Sequence, residues 1–190
     1  RLGSAAVILL ISLVGGRIVP SFTNNWLVRE NPGRLPVPFG RYDMVTLAMS
    51  ALALVSWIAA PSVIWSGVLL IAAGLMHVVR LARWAGDRTW RDRLVLVLHV
   101  AYAFVPAGFL LTGIAIVWPD VAPASAGIHA WTAGAIGMMT IAVMTRATLG
   151  HTKQPLAAST VTQAIYLCLF AAALLRIAAA LTGSIGLLHG

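Results

Sequence analysis

The sequence predicts an all-α fold, a polytopic transmembrane bundle of six helices. Hydrophobic residues make up 60% of the chain and charged residues only 9%, whereas soluble domains have about 45–50% and about 25%. A helix needs ~20 apolar residues to cross a hydrocarbon core of about 30 Å. Six apolar runs are candidates: Ser4–Val19, Tyr42–Ala60, Ser62–Arg80, Leu94–Trp118, Gly127–Thr145 and Thr160–Leu181.

These runs follow one another closely, and we assign residues 1–190 to a single transmembrane helical region. The first run is short and the chain begins with arginine, so we expect a piece of a longer protein whose first helix has lost its beginning. A cleavable signal peptide is a poor interpretation, because Arg17 stands where a small-residue cleavage site is expected. Cys168 is the single cysteine, which excludes a disulfide framework.

The placement of the net charge of +8 predicts the topology. Arginine and lysine cluster in the connections after the first, third and fifth runs, and the other two connections carry neither. The positive-inside rule places such basic loops in the cytoplasm and therefore both termini outside. Because topology accounts for the arginines, we expect a lipid bilayer and no nucleic acid as the partner.

The end of the first run, GGRIVPSFTNNWL, combines a charge, a proline and several hydrogen-bonding side chains. Pro20 predicts an interruption of the helix, because proline lacks the N–H that the ladder needs. Arg17 has two interpretations. It extends to the membrane interface beside Trp26, or it binds an anion such as a propionate or a phosphate. Residues 30–40 are rich in proline and glycine and are predicted to form a loop.

The second run has no ionisable residue after Asp43 and no polar stripe, so we interpret it as a peripheral helix.

Two histidines lie in the predicted hairpin of the third and fourth runs. His77 and His99 stand at similar distances from the turn around Gly86–Arg88, which brings them to similar depth. An ionisable residue inside a membrane helix is a functional candidate, and neutral imidazole is the commonest metal ligand. We predict that both contact a common ligand; the alternative is a satisfied structural histidine. Pro106 frees the carbonyl of Tyr102 and predicts a kink, which suggests a small cavity or the edge of a cofactor.

The fifth run is too rich in glycine and threonine for a helix that only faces lipid. On a 3.6-residue period it carries one polar stripe and one stripe of mostly small residues. The first is His129, Thr132, Ile136 and Thr140, and the second is Ala130, Gly134, Gly137 and Ile141. We predict that the second stripe packs against a neighbouring helix. We also predict that the polar stripe faces the bundle, because polar groups that face lipid find no partners.

The two histidines at the ends of this run cannot share one metal ion. His129 and His151 are 22 residues apart, which is about 33 Å along a helix. Met138, Met139 and Met144 carry soft sulfur atoms that suit Cu(I), although methionine in a membrane core more often only packs.

Four segments resemble the NnrS family of bacterial membrane proteins. They are GGRIVPSFTNNWL, GLMHVVRLARW, LVLHVAYAFVPAGFLL and HAWTAGAIGMMTIAVMTRATLGHT, and they span nearly the whole chain in the family's order. Members of that family have roughly twelve helices, so this chain resembles their C-terminal half. The resemblance implies a haem- and copper-containing protein of the cytoplasmic (inner) membrane, associated with nitric oxide, denitrification and relief of nitrosative stress.

The resemblance also implies candidate cofactor-binding positions. They are Arg17, His77, His99, His129, Arg146 and His151, with His77 and His99 as metal ligands. Which of them bind haem and which copper stays open. Arg146 is interpreted either as a partner of a haem propionate, through the bidentate geometry of guanidinium, or as a topology anchor.

Two other classes of function stay open beside a haem and copper protein. A membrane transporter or channel would show polar residues at the midplane, broken helices and internal repeats, and this chain offers only Pro106 and no midplane acid. The other class is a membrane sensor or scaffold without catalysis. The sequence leaves open whether the protein is an enzyme and what its oligomeric state is.

Overall fold

The computed structural model describes residues 1–183 and confirms the all-helical class. Over that range, six helices are long and apolar enough to cross a membrane. Their bounds are α1 Leu2–Glu30, α2 Arg41–Ala59, α3 Ile64–Ala82, α4 Arg93–Val117, α5 Ala124–His151 and α6 Thr160–Thr182. A short 3₁₀ turn, Gly86–Arg88, lies between α3 and α4. The C-terminal end of the predicted topology lies outside the described residues.

Helix α1 is longer than predicted and continues through Pro20 to Glu30, so the predicted interruption is wrong. A proline removes one ladder hydrogen bond and crowds the carbonyl four residues earlier. That residue is Gly16, which is packed so tightly that an added Cβ would meet the Arg80 side chain. Past the proline, the Thr23 hydroxyl donates to the Val19 carbonyl over 2.9 Å. Neighbouring helices and hydroxyls that re-satisfy freed backbone groups are what make proline tolerable in membrane helices.

Helix α4 forms the centre of the bundle and contacts α1, α3 and α5. It is buried over most of its length. Gly67 of α3 and Gly113 of α4 face each other so closely that a Cβ on Gly113 would lie 2.7 Å from the Gly67 carbonyl oxygen. Small residues at such crossings let membrane helices approach closely.

The middle of α5, residues Ala130–Met138, is π-helical. The predicted packing of its small stripe holds for Ala130 and Gly134, which are buried, whereas Ile141 is exposed. Gly134 lies against the ring of Phe104 on α4.

The predicted orientation of the polar stripe of α5 is wrong. Thr132 and Thr140 are exposed, and His129 is only half-buried. The physical reason is local at Thr132, whose hydroxyl donates to the Ile128 carbonyl over 2.8 Å. A threonine that satisfies itself on its own helix has no need of a partner in the bundle.

Candidate metal and anion sites

A buried ion pair joins α2 to α3. Arg80 and Asp43 are 0% and 3% exposed, and Arg80 Nε donates to Asp43 Oδ1 over 2.7 Å. Arg80 Nη1 donates to the Ser12 carbonyl over 2.7 Å and to the Tyr102 hydroxyl over 2.9 Å. Helix α2 packs mainly against α1 and α3, and its first turn supplies the charge that makes Arg80 tolerable inside the bundle.

His77 continues this network and has both ring nitrogens occupied. Its Nε2 lies 2.8 Å from Ser50 Oγ, and its Nδ1 lies 3.1 Å from the Tyr102 hydroxyl. The Ser50 hydroxyl donates its only proton to the Thr46 carbonyl, so it can only accept from the imidazole. His77 therefore carries its proton on Nε2 and accepts at Nδ1 from Tyr102. This arrangement matches a satisfied structural histidine.

His99 takes the same tautomer but keeps a free lone pair. Its Nε2 lies 2.8 Å from Thr23 Oγ1, and that hydroxyl donates its proton to the Val19 carbonyl, so Nε2–H must be the donor. His99 Nδ1 is buried and has no hydrogen-bond partner within residues 1–183. It faces Gly86, where an added Cβ would lie only 2.5 Å from the nitrogen.

A groove of about 430 Å³ lies beside His99. It is lined by the end of α3, the 3₁₀ turn and α4, and the exposed Trp90 lies at its edge. A neutral imidazole with one nitrogen held by a hydrogen bond and the other free has the arrangement of a metal ligand. Of the two histidines of the hairpin, His99 is the one that leaves a ring nitrogen without a hydrogen-bond partner among the described residues, and its role as a metal ligand stays a prediction.

The two histidines of the hairpin have no hydrogen-bond partner in common among the described residues. Among the described residues, His77 contacts Ser50, Tyr102 and Phe109, whereas His99 contacts Thr23 and Trp84. Both lie within two turns of the α3–α4 connection. A metal shared by His77 and His99 would require His77 to give up its bond to Tyr102, and it stays a prediction.

The remaining sequence candidates lie apart from this hairpin. His129 ends the first segment of α5, and His151 is exposed at the other end of that helix. Arg17 is exposed on α1 and places its guanidinium 5.1 Å from the centroid of the Phe39 ring. Their assignment to a cofactor stays a prediction.

Arg146 lies on α5 against α1, and its guanidinium carbon is 4.3 Å from the Phe22 ring centroid. Its Nη1 is buried with no hydrogen-bond partner in the described part of the chain. This guanidinium N–H is an unsatisfied donor, and an anionic oxygen would satisfy it through a charge-assisted hydrogen bond.

These residues fit haem and copper unequally. For haem, His99 would hold the iron through its unpartnered Nδ1 once the turn at Gly86, which packs against this nitrogen, moves away. For copper, no three histidine, cysteine, aspartate or glutamate side chains converge anywhere in residues 1–183.

Sequence reasoning missed the residues that prepare these sites. It counted Arg80 as a topology charge, noted Asp43 and Thr23 without assigning them a partner, and did not mention Ser50. One signal was available: Arg80 follows His77 by three residues, which places both on one face of a helix.

Comparison with protein-family models gives a match over nearly the whole chain. The family model described as NnrS protein matches residues 1–189. Searches of curated proteins and of solved structures returned no match. The match covers nearly the whole chain and agrees with a multi-pass bundle of apolar helices that carries buried histidine and arginine. The chain therefore belongs to the NnrS family.

Proposed function

We propose that this protein binds haem and copper in the bacterial cytoplasmic membrane and takes part in the response to nitric oxide, in denitrification and in relief of nitrosative stress. Membership of the NnrS family supports this role. The observation on this chain that carries the proposal is the buried, unpartnered Nδ1 of His99. In this proposal copper rests on the family alone.

His99 would hold the haem iron through Nδ1. The Thr23 hydroxyl keeps the proton of the imidazole on Nε2 and orients the ring, as outer-shell partners do for ligating histidines. Burial at 7% exposure keeps water from competing for the nitrogen. A bound haem iron supplies the centre that can bind nitric oxide.

Optical spectra of the full-length protein, purified from membranes, test the proposal. The wild type should show a Soret band, because such a band requires a porphyrin, and metal analysis should find copper. His99→Gln should lose most of the haem. Thr23→Val should weaken haem retention about tenfold, within the range seen for outer-shell partners. His189→Gln changes a histidine that is not among the candidate positions, and as the matched control it should keep the wild-type spectrum.

Two outcomes would contradict the proposal. A wild-type protein without a Soret band would favour a transporter, channel or scaffold. Equal haem content in wild type and His99→Gln, at equal membrane expression, would exclude His99 as the ligand. The physiological role is tested by growth of a deletion strain under a nitric oxide donor, where wild type should restore growth and His99→Gln should not.

A further inference from the structure

A groove of about 830 Å³ runs between α1 and the C-terminal half of α5. Its walls change character along α1. Val14, Ile18 and Phe22 make the first part apolar together with Val143 of α5. The part nearer the basic loops is polar, and it is lined by Asn24, Asn25, Arg29 and Arg146.

The polar end of this groove adjoins a strongly basic cavity of about 560 Å³, and Arg29 and Arg146 line both spaces. Its charged lining consists of four arginines and two carboxylates: Arg29, Arg91, Arg93, Arg146, Glu30 and Asp92. None of these arginines forms a salt bridge with another residue between positions 1 and 183. Asp92 is already engaged, because it accepts from the backbone N–H groups at the start of α4. The site therefore has an uncompensated positive charge.

The Arg146 guanidinium offers an unsatisfied hydrogen-bond donor at this site. One face of the guanidinium lies over Phe22, and the buried Nη1 has no acceptor among the described residues. A buried N–H group that lacks an acceptor costs free energy. An anionic oxygen at the junction of the two spaces would remove that cost through a charge-assisted hydrogen bond.

We propose that this groove binds an anionic phospholipid. The phosphate lies on Arg146 and Arg29, and one acyl chain lies along the apolar part from Phe22 to Val14. That stretch of α1, from Val14 to Arg29, is about 22 Å long at 1.5 Å per residue. Half of the hydrocarbon core is about 15 Å thick, so the groove accommodates one leaflet and its headgroup. Basic pockets between transmembrane helices are a known form of anionic headgroup site.

The lining of the groove separates a lipid from a haem. It contains no histidine, cysteine, methionine or tyrosine among the described residues, so a haem iron in this groove would have no ligand. Arg146 therefore binds a lipid phosphate rather than a haem propionate. Lipid binding here does not depend on haem binding elsewhere in the protein.

Native mass spectrometry of the full-length protein, released from nanodiscs, tests this site. The nanodiscs contain equal amounts of two lipids. Phosphatidylglycerol carries a net negative charge, and phosphatidylethanolamine carries no net charge. The wild type should retain phosphatidylglycerol preferentially. Arg146→Gln should weaken this retention about tenfold, as expected for the loss of one charge-assisted hydrogen bond. Arg176→Gln removes an exposed arginine of α6 outside the groove and is the matched control, which should retain phosphatidylglycerol as wild type does.

A second variant tests the apolar part without a change of charge. Ala147 lines the groove and is exposed, so Ala147→Trp can fill the space without disturbing the core. It should also lower phosphatidylglycerol retention. Inorganic phosphate, added as a competitor, distinguishes a lipid site from a site for a free anion, and it should not displace the lipid.

Each contrary result overturns the proposal. Equal retention of phosphatidylglycerol by wild type and Arg146→Gln would show that the arginine does not bind the phosphate. Wild-type retention by Ala147→Trp would show that the acyl chain does not lie in the groove. Equal retention of both lipids would show that the site does not select a negatively charged headgroup. Displacement of the lipid by inorganic phosphate would show that the site binds a free anion and not specifically a lipid. Haem content is measured on the same samples. A loss of haem from Arg146→Gln, with lipid retained, would assign the arginine to a propionate.

Discussion

At the scale of single residues, two hydroxyls that donate to carbonyls of their own helices decide the tautomer of both imidazoles. Ser50 and Thr23 each donate to a carbonyl of their own helix, so each accepts from the histidine beside it. Both histidines therefore carry the proton on Nε2. They differ because Tyr102 donates to His77, whereas no described group donates to His99 Nδ1. One tyrosine thus separates a structural histidine from a candidate ligand.

Asp43 should be essential for stability, because it compensates the buried Arg80. Asp43→Asn removes the charge with little change of shape and leaves the guanidinium unpaired. We expect a loss of about 3–5 kcal/mol in the free energy of unfolding, typical of a broken buried pair. Tryptophan fluorescence during thermal unfolding in detergent measures the change.

The exposed pair Arg34–Asp87 supplies the control for this variant. Its side chains are 56% and 63% exposed, so Asp87→Asn should cost at most about 1 kcal/mol. A Tm of Asp43→Asn no lower than that of Asp87→Asn would show that Arg80 does not depend on its carboxylate.

At the scale of secondary structure, the π-helical middle of α5 determines how this helix meets α4. Trp131 is fully buried in that segment, and its indole N–H donates to the Val105 carbonyl over 3.2 Å. Gly108 leaves room for the indole, since a Cβ there would lie 2.2 Å from Trp131 Cδ1. The close approach of the two helices therefore depends on glycine on both.

Two glycines of the π segment give a matched test of this contact. A Cβ on Gly134 would lie 2.3 Å from Phe104 Cγ, whereas on Gly137 its nearest neighbour would be 3.5 Å away. Gly134→Ala should therefore destabilise the bundle by about 1–3 kcal/mol through overpacking. Gly137→Ala should be neutral or gain about 0.5–1 kcal/mol, because alanine loses less entropy in a helix. Thermal unfolding of the two variants decides, and equal Tm values would contradict the tight contact.

At the scale of the whole molecule, the basic residues divide the bundle into two ends. Counting Arg17, Arg80 and Arg146 with the loops, eleven of the thirteen lysine and arginine residues belong to the end that holds the first, third and fifth connections. Arg1 and Arg176 do not. The same end holds the His99 groove and the polar part of the groove at Arg146. Both proposed sites therefore open toward one side of the membrane.

Reporter fusions test which side that is. We expect fusions in the Asn31–Gly40 loop and at Asp87 to report the cytoplasm, because positive loops are retained there. A fusion at Asp120 should report the opposite side. The contrary pattern, with Asp120 in the cytoplasm, would overturn the orientation and place both proposed sites on the outer side.

The sequence by itself determined the fold class, the number of spans and the division of charge, but not the end of the first helix. Each of these depends on the length and polarity of a local stretch of chain, because a helix spans the membrane if it is long and apolar enough and the charge of its flanking loops sets its orientation. It also indicated the family, because four long segments carry the resemblance.

Only the tertiary structure decided which polar groups meet. Asp43 and Arg80 are 37 residues apart in the chain, and Thr23 and His99 are 76 apart. Their pairing depends on how each helix is rotated about its axis, and no pattern within one helix contains that rotation. For the same reason, the stripe of α5 was visible in the sequence but its direction was not. Packing against α4 selected the small side, and the threonine side turned outward.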